Sequence, residues 1–333
     1  MTAGAARILI VAPNWIGDAL MAQPAIGRLR AQLRARQADG AVDALAPPWV
    51  APVLRRMPEI DEVIEADLRH GELQLGARWR LGRRLRRRGY AEAYVLPNTF
   101  KSALAPFFAG IPVRVGFRGE ARYGLLNRVL EPGPEREPTA WRYARLAALQ
   151  GREPDLPLPD PSLHFQKEEI SATAERFGIA SPYTVLCPGA EYGPAKRWPY
   201  FRELAARVGA RVVLLGSPGD REGNEDLPGT NLIGRTTLDE AIDLIAGARA
   251  VVTNDSGLMH VAAATGTPLV ALFGSSSPEH TPPLSAAARV VWLRAECSPC
   301  YARVCPLGHF KCMRELTVER VLEELRALPG FSE

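Results

Sequence analysis

Three short stretches of this 333-residue sequence carry side chains suited to phosphorylated or hydroxyl-bearing substrates. The first, Pro13-Asn14-Trp15-Ile16-Gly17-Asp18, leaves an apolar run and ends on a carboxylate where a helical pattern begins. Asp18 is there either a helix N-cap or a general base able to take the proton of a bound hydroxyl. The second, Cys187-Pro188-Gly189-Ala190-Glu191-Tyr192-Gly193-Pro194-Ala195-Lys196-Arg197-Trp198-Pro199, sets glycines and two adjacent cations before another helix. Glycines let backbone N–H groups approach phosphate oxygens, and a lysine adds a point charge. Adjacent cations are also what a solvated surface carries. The third, Thr253-Asn254-Asp255-Ser256-Gly257-Leu258-Met259-His260, follows an apolar run and opens a helix. Ser256, Gly257 and the neighbouring N–H groups would make an anion-binding helix terminus. Asp255 could cap that helix, take a sugar hydroxyl or orient His260. Gly274-Ser275-Ser276-Ser277-Pro278 is a further polar loop of the same kind. Neither G-x-x-x-x-G-K-[ST] nor G-x-G-x-x-G occurs, so the familiar nucleotide loops are excluded.

A fourth cluster is of a different type. Cys297-x2-Cys300-x4-Cys305-x6-Cys312, with His309 inside it, places four thiols within sixteen residues. That is enough reach for a tetrahedral Zn²⁺, and the opening C-x2-C fits structural zinc spacing. Reduced, unliganded thiols are the alternative, and a redox pair a third. Five cysteines, four of them bunched in this way, do not form a disulfide framework, so a cytoplasmic location is expected.

Such loops need a scaffold that presents them from one edge. Residues 7–12, 41–46, 62–66, 91–96 and 113–116 read as short strands, with a helical pattern from Asp18 to Leu33 after the first. Gly151 to Pro161 (GREPDLPLPDP) holds four prolines and reads as a linker. The alternation then restarts with strand-like runs at 183–187, 211–215, 231–233, 250–253 and 268–273. A final amphipathic helix, Val318 to Leu328, follows Thr317 as its N-cap. Strands alternating with helices predict two doubly wound α/β domains, 1–160 and 161–333. In such sheets ligands bind beyond the carboxyl ends of the strands, where these loops fall.

The composition, 47% hydrophobic and 23% charged, is that of a globular chain and excludes collagenous or wholly disordered readings. The net charge of +4 is uneven: 24 basic against 17 acidic residues in 1–160, and 17 against 20 in 161–333. A basic first half suggests an anionic partner such as nucleic acid, phosphorylated lipid or an acidic glycan. Seven arginines lie between Arg78 and Arg88, with Leu81 and Leu85 one helical turn apart. This run is either a solvated helical face or one that also touches an acidic membrane. No stretch reaches the roughly 18 to 20 apolar residues that span a bilayer, so a soluble protein is expected.

Five longer segments extend the pattern: PNWIGDALMAQP (Pro13–Pro24), AYVLPNTFKSALAPFFAGIP (Ala93–Pro112), RGEARYGLLN (Arg118–Asn127), CPGAEYGPAKRWP (Cys187–Pro199) and VTNDSGLMHVAAATGTPLVALFGSSSPEHTPPLS (Val252–Ser285). In these the sequence resembles the bacterial heptosyltransferase family, glycosyltransferase family 9. The resemblance implies a GT-B fold, two Rossmann-like domains facing across a cleft, with acceptor bound by 1–160 and ADP-heptose by 161–333. It implies inverting transfer of L-glycero-D-manno-heptose from ADP-heptose to the first heptose of the lipopolysaccharide inner core, on a heptosyl-Kdo2-lipid A type acceptor. A different core acceptor, or a sugar-binding protein without turnover, are the alternatives. No cofactor and no catalytic metal are implied. By the same resemblance Asp18 is the general base, Lys196 neutralises the leaving ADP, and Asp255, Ser256, Gly257, Leu258 and His260 form the donor loop. Asp220 is a candidate for the ribose hydroxyls. The acceptor's acidity gives the basic half a purpose without nucleic acid, at the inner face of the cytoplasmic membrane. On chemical grounds alone, Arg118 and Arg122, with Asn98, Thr99 and Lys101, are expected to meet acceptor anions.

Overall fold

Short apolar runs bounded by polar turns become strands throughout the computed structural model, which describes residues 6–36, 39–68, 71–148, 154, 156–209 and 211–331. The chain divides into two units, Met1–Pro159 and Asp160–Glu333. Of the linker sequence 151–161, residues 151–153 and 155 lie outside the described ones.

In the first unit, strands β1 (Arg7–Val11), β2 (Ala41–Ala46), β3 (Glu62–Glu65), β4 (Glu92–Val95), β5 (Val113–Phe117) and β6 (Arg128–Leu130) form one sheet. Their order is β3-β2-β1-β4-β5-β6, with every neighbouring pair parallel. Sheet growth reverses direction between β1 and β4, so the loops leaving these two strands diverge and open a crevice at their carboxyl ends. Asp43 on β2 is fully buried, where it accepts from Arg7 at 2.5 Å and from the Tyr90 hydroxyl at 2.6 Å. A buried carboxylate needs such partners.

The second unit repeats the plan with β7 (Thr184–Cys187), β8 (Val212–Leu214), β9 (Thr230–Asn231), β10 (Ala250–Asn254), β11 (Leu269–Phe273) and β12 (Ala288–Trp292). The order β12-β11-β10-β7-β8-β9 is again all parallel, and its reversal point lies between β7 and β10. Every residue of β7, β10 and β11 is buried, as expected for strands covered on both faces by helices. Val321, Leu322 and Leu325 of the last helix, Val318–Arg326, pack into the core with Leu204, Leu272 and Trp198. Thr317 caps that helix as its position predicts, its hydroxyl accepting from the Arg320 N–H at 3.3 Å.

Two strands, β6 and β12, fall outside the sequence reading; both are partly exposed edge strands. The helical pattern from Asp18 to Leu33 is also two helices rather than one, Ile16–Met21 and Gln23–Arg36, broken at Ala22. Pro24 explains the break: its missing N–H is tolerated in a first turn but not in a helix interior. Among the described residues no helix is long and apolar enough to cross a membrane.

Candidate functional site

In the second unit the loops that leave β7 and β10 meet at the reversal point. Asn254, at the end of β10, is fully buried and ties them together. Its amide donates to the Pro188 carbonyl at 2.7 Å, and its side-chain oxygen accepts from the Trp198 N–H at 3.1 Å. Next to it, Asp255 is 5% exposed and accepts from Lys196 Nζ at 2.6 Å and from the Ser276 hydroxyl at 2.5 Å. Of the three roles open to Asp255 in the sequence, helix capping is not the one built. The N-cap of the helix Gly257–Ala264 is Ser256, with its hydroxyl 3.4 Å from that of Thr253. Ser256, Gly257 and Leu258 are half-buried, so the orphan N–H groups of the helix start remain reachable.

His260 lies one turn further in and is 6% exposed. Burial pushes its imidazole down to about 4; Asp255 opposes the shift and Lys196 adds to it. It is therefore neutral at pH 7, a packed residue beneath the loop. Lys196 is itself held in place, its ammonium 4.8 Å from the centre of the Tyr192 ring. Asp220 is buried in its own loop: one oxygen accepts from the Ser217 N–H at 2.9 Å and its hydroxyl at 2.7 Å, and the other lies 3.6 Å from Arg197. The carboxylate also faces Gly189, where any Cβ would collide with it.

The first unit presents its own set at the β1/β4 reversal. Asp18 is half-buried in the first turn of Ile16–Met21, whose N-cap is Trp15, so the N-cap alternative for Asp18 does not hold. Burial and the nearby Asp18 carboxylate push the Tyr143 phenol up. A pocket at this edge is lined by Asn14, Trp49, Arg78, Thr99 and Lys101, among others. Trp49 donates from its indole to the Asn14 carbonyl at 2.8 Å. Arg122 corrects the expectation of an acceptor contact. It is 3% exposed and donates to the Pro97 carbonyl at 2.8 Å, to the Phe117 carbonyl and to the Asn98 side chain. Its guanidinium, lowered in pKa by burial, holds the loop that carries Asn98. Arg118 is exposed and pairs with Glu131 at 2.8 Å.

Of the alternatives open to the four clustered thiols, the zinc site is not the one built. Among the described residues no three His, Cys, Asp or Glu side chains gather as ligands for a metal ion. Cys297, Cys300, Cys305 and Cys312 are free thiols. Cys312 is buried beside Met313 in the core, and burial together with the other three thiols pushes it up to about 11. Cys305 accepts from the Phe310 N–H, which lowers it. What this segment does instead is brace the Lys196 loop. The Ala195 N–H donates to the Arg303 carbonyl at 3.0 Å, and the Tyr192 hydroxyl to the Tyr301 carbonyl at 2.5 Å. The Arg303 guanidinium stacks on the Tyr192 ring at 5.2 Å. Tyr192, Asn254, Ser276, Tyr301 and Trp49 are thus site residues that sequence reasoning did not single out. Only Ser276, inside a run of three serines after a strand, left a signal of its own.

Comparison with known proteins gives the chain's family and fold. The profile of glycosyltransferase family 9 (heptosyltransferase) matches residues 78–311. Lipopolysaccharide heptosyltransferase 2 of Escherichia coli (strain K12) is 47% identical over 345 residues, covering 97% of this chain and 98% of that one. Its namesake from Salmonella typhimurium is 46% identical with the same coverage. The solved structure of E. coli ADP-heptose lps heptosyltransferase II, 44% identical, covers 96% of this chain and 98% of its own with a TM-score of 0.83. That likeness assigns the two parallel six-stranded sheets to the GT-B fold.

Proposed function

The chain belongs to glycosyltransferase family 9, the heptosyltransferases, and from that premise we propose that it moves heptose from ADP-heptose onto the first heptose of the lipopolysaccharide inner core, inverting the anomeric carbon. The observation that carries this reading is the Lys196–Asp255–Ser276 cluster at the carboxyl ends of β7 and β10, beside the start of the helix Gly257–Ala264. A nucleoside diphosphate gains negative charge as its bond to the sugar breaks. A lysine ammonium has three donors; Asp255 takes one, which leaves two for phosphate oxygens. The helix terminus adds its N–H groups and partial positive charge.

In the first unit Asp18 acts as the base. It accepts the proton of the acceptor hydroxyl while that oxygen bonds to the anomeric carbon on the face opposite the leaving group. The bond from that carbon to the diphosphate oxygen breaks, and ADP departs with the electron pair toward Lys196. Thr99 and Lys101, which line the pocket of this unit, border the acceptor's place, with Asn98 next to them in the chain and Arg118 exposed. A lipid-anchored acceptor puts the enzyme at the inner face of the cytoplasmic membrane.

The test is transfer from ADP-heptose to defined, truncated core acceptors, comparing the parent with Asp18→Asn. Removal of a general base lowers turnover by about 10²- to 10⁴-fold, with donor affinity little changed. Unchanged turnover in Asp18→Asn removes Asp18 from the mechanism. Absence of transfer to any heptose-bearing core removes the reaction.

A further inference from the structure

The helix Leu75–Arg86 has two unlike faces. Leu81, Gly82 and Leu85 are buried, and Gly82 lies so close to Phe108 and the Ala105 carbonyl that a Cβ would overlap them. The outer face carries Leu75 and Trp79, about half exposed, then Arg80, Arg83, Arg84 and, at the C-cap, Arg87. These four arginines form no ion pair with any described residue, although arginines elsewhere in the unit do: Arg30 with Asp61, Arg36 with Glu92, Arg88 with Glu62. A solvated helix normally interleaves acids at i,i+4 to its bases. The stretch 73–88 contains none.

We propose that this outer face docks the first unit onto an anionic bilayer, with Leu75 and Trp79 at headgroup depth and Arg80, Arg83, Arg84 and Arg87 against lipid phosphates. Unpaired cations beside an exposed tryptophan and leucine match what an acidic membrane interface offers, charge at the surface and apolar space beneath it. The place is also apt. Arg78, on the buried side, donates to the Leu73 carbonyl at 2.7 Å and to the Lys101 carbonyl at 3.0 Å. The helix start is thereby fastened to the loop bordering the acceptor pocket, so docking here sets that pocket close to the lipid surface. The purpose rests on the lipid-anchored acceptor proposed above; the binding does not.

Binding is measured by co-sedimentation of the full chain with phosphatidylcholine vesicles holding roughly 30 mol% phosphatidylglycerol, without donor or acceptor. Each arginine near such a surface contributes about fivefold to partitioning, so the Arg80→Gln/Arg83→Gln/Arg84→Gln/Arg87→Gln variant loses at least a hundredfold. Trp79→Ala loses about tenfold, and that loss persists in high salt, whereas the arginine contribution is screened. The four arginines are exposed, so the quadruple variant keeps the parent's unfolding midpoint, and both variants keep its transfer to a detergent-dispersed acceptor. Equal partitioning of parent and quadruple variant overturns the proposal. So does equal binding to vesicles of phosphatidylcholine alone, or tighter binding to a DNA duplex than to the anionic vesicles at the same salt. Failure of transfer with vesicle binding intact instead counts against the reaction, not against the docking face.

Discussion

Replacing Lys196 with methionine separates its ion pair with Asp255 from the role in transfer proposed for it. The substitution keeps most of the side-chain volume and the contact with the Tyr192 ring, but it leaves Asp255, 5% exposed, without its cation. Breaking a buried pair by removing one partner costs about 3–5 kcal/mol. The Lys196 side chain is 14% exposed, so water reaches part of the pair, and Ser276 still donates to the carboxylate. About 2–4 kcal/mol is then the expected loss. For a unit the size of Asp160–Glu333 that lowers the thermal midpoint by roughly 5–15 °C. Adding Asp255→Asn removes the stranded charge, so the double variant recovers at least half of the loss. Transfer behaves differently: it falls by about 10²-fold or more in Lys196→Met and does not return in the double variant. Calorimetry and initial rates on the parent, both singles and the double complete a cycle. A Lys196→Met midpoint within a degree or two of the parent, or a double variant no more stable than that single, refutes the claim that the pair is buried and coupled.

Acidification tests His260. Its folded value of about 4 lies below the ordinary 6.5, so the unfolded chain takes up the proton first as pH falls. Stability therefore declines between about pH 6.5 and pH 4, by at most about 3 kcal/mol, and His260→Gln flattens that part of a chemical-denaturation profile; an unchanged slope sinks the assignment. Gly193→Ala tests the brace on the Lys196 loop. Gly193 sits at φ +147, and a Cβ there would overlap the Arg303 carbonyl. The variant is expected to lose about 2 kcal/mol or more and to bind ADP more weakly by titration calorimetry. Parent-like stability and affinity show that the contact with Arg303 does not matter.

The sheets were largely legible because parallel strands covered on both faces are written as apolar runs between turn residues, as at 250–254 and 269–273. β6 and β12 were not, since an edge strand such as ARVVW, with only Val291 buried, is written much like the loops around it. Loop positions followed from the strand order, but pairings did not. Lys196 and Asp255 are 59 residues apart, and nothing in either loop says that they meet. Arg122 shows the opposite failure. A cation in a polar loop reads as exposed, yet three acceptors around its guanidinium make burial tolerable. The cysteine run likewise signals metal by spacing alone, while among the described residues no three such side chains gather as ligands and Cys312 is buried in the core.

The Lys196–Asp255 pair also bears on where selectivity for a diphosphate arises. An ammonium matched to a carboxylate at 2.6 Å has little net field at a distance, and the second half of the chain holds more acidic than basic residues. Long-range attraction of an anion is therefore weak on this unit, and recognition is left to contact. At contact the pair helps. A free lysine on a loop gives up about 2 kcal/mol of rotamer freedom when it is ordered. Asp255 and the Tyr192 ring have already imposed that order. In the transfer proposed above the ammonium would then need little reorganisation as charge grows on the departing diphosphate, and would favour the transition state over the ground state. An unpaired lysine would hold the intact donor more strongly at range and gain less at the moment of bond breaking. By this argument Asp255 is what makes the neighbouring cation useful to the transfer proposed above.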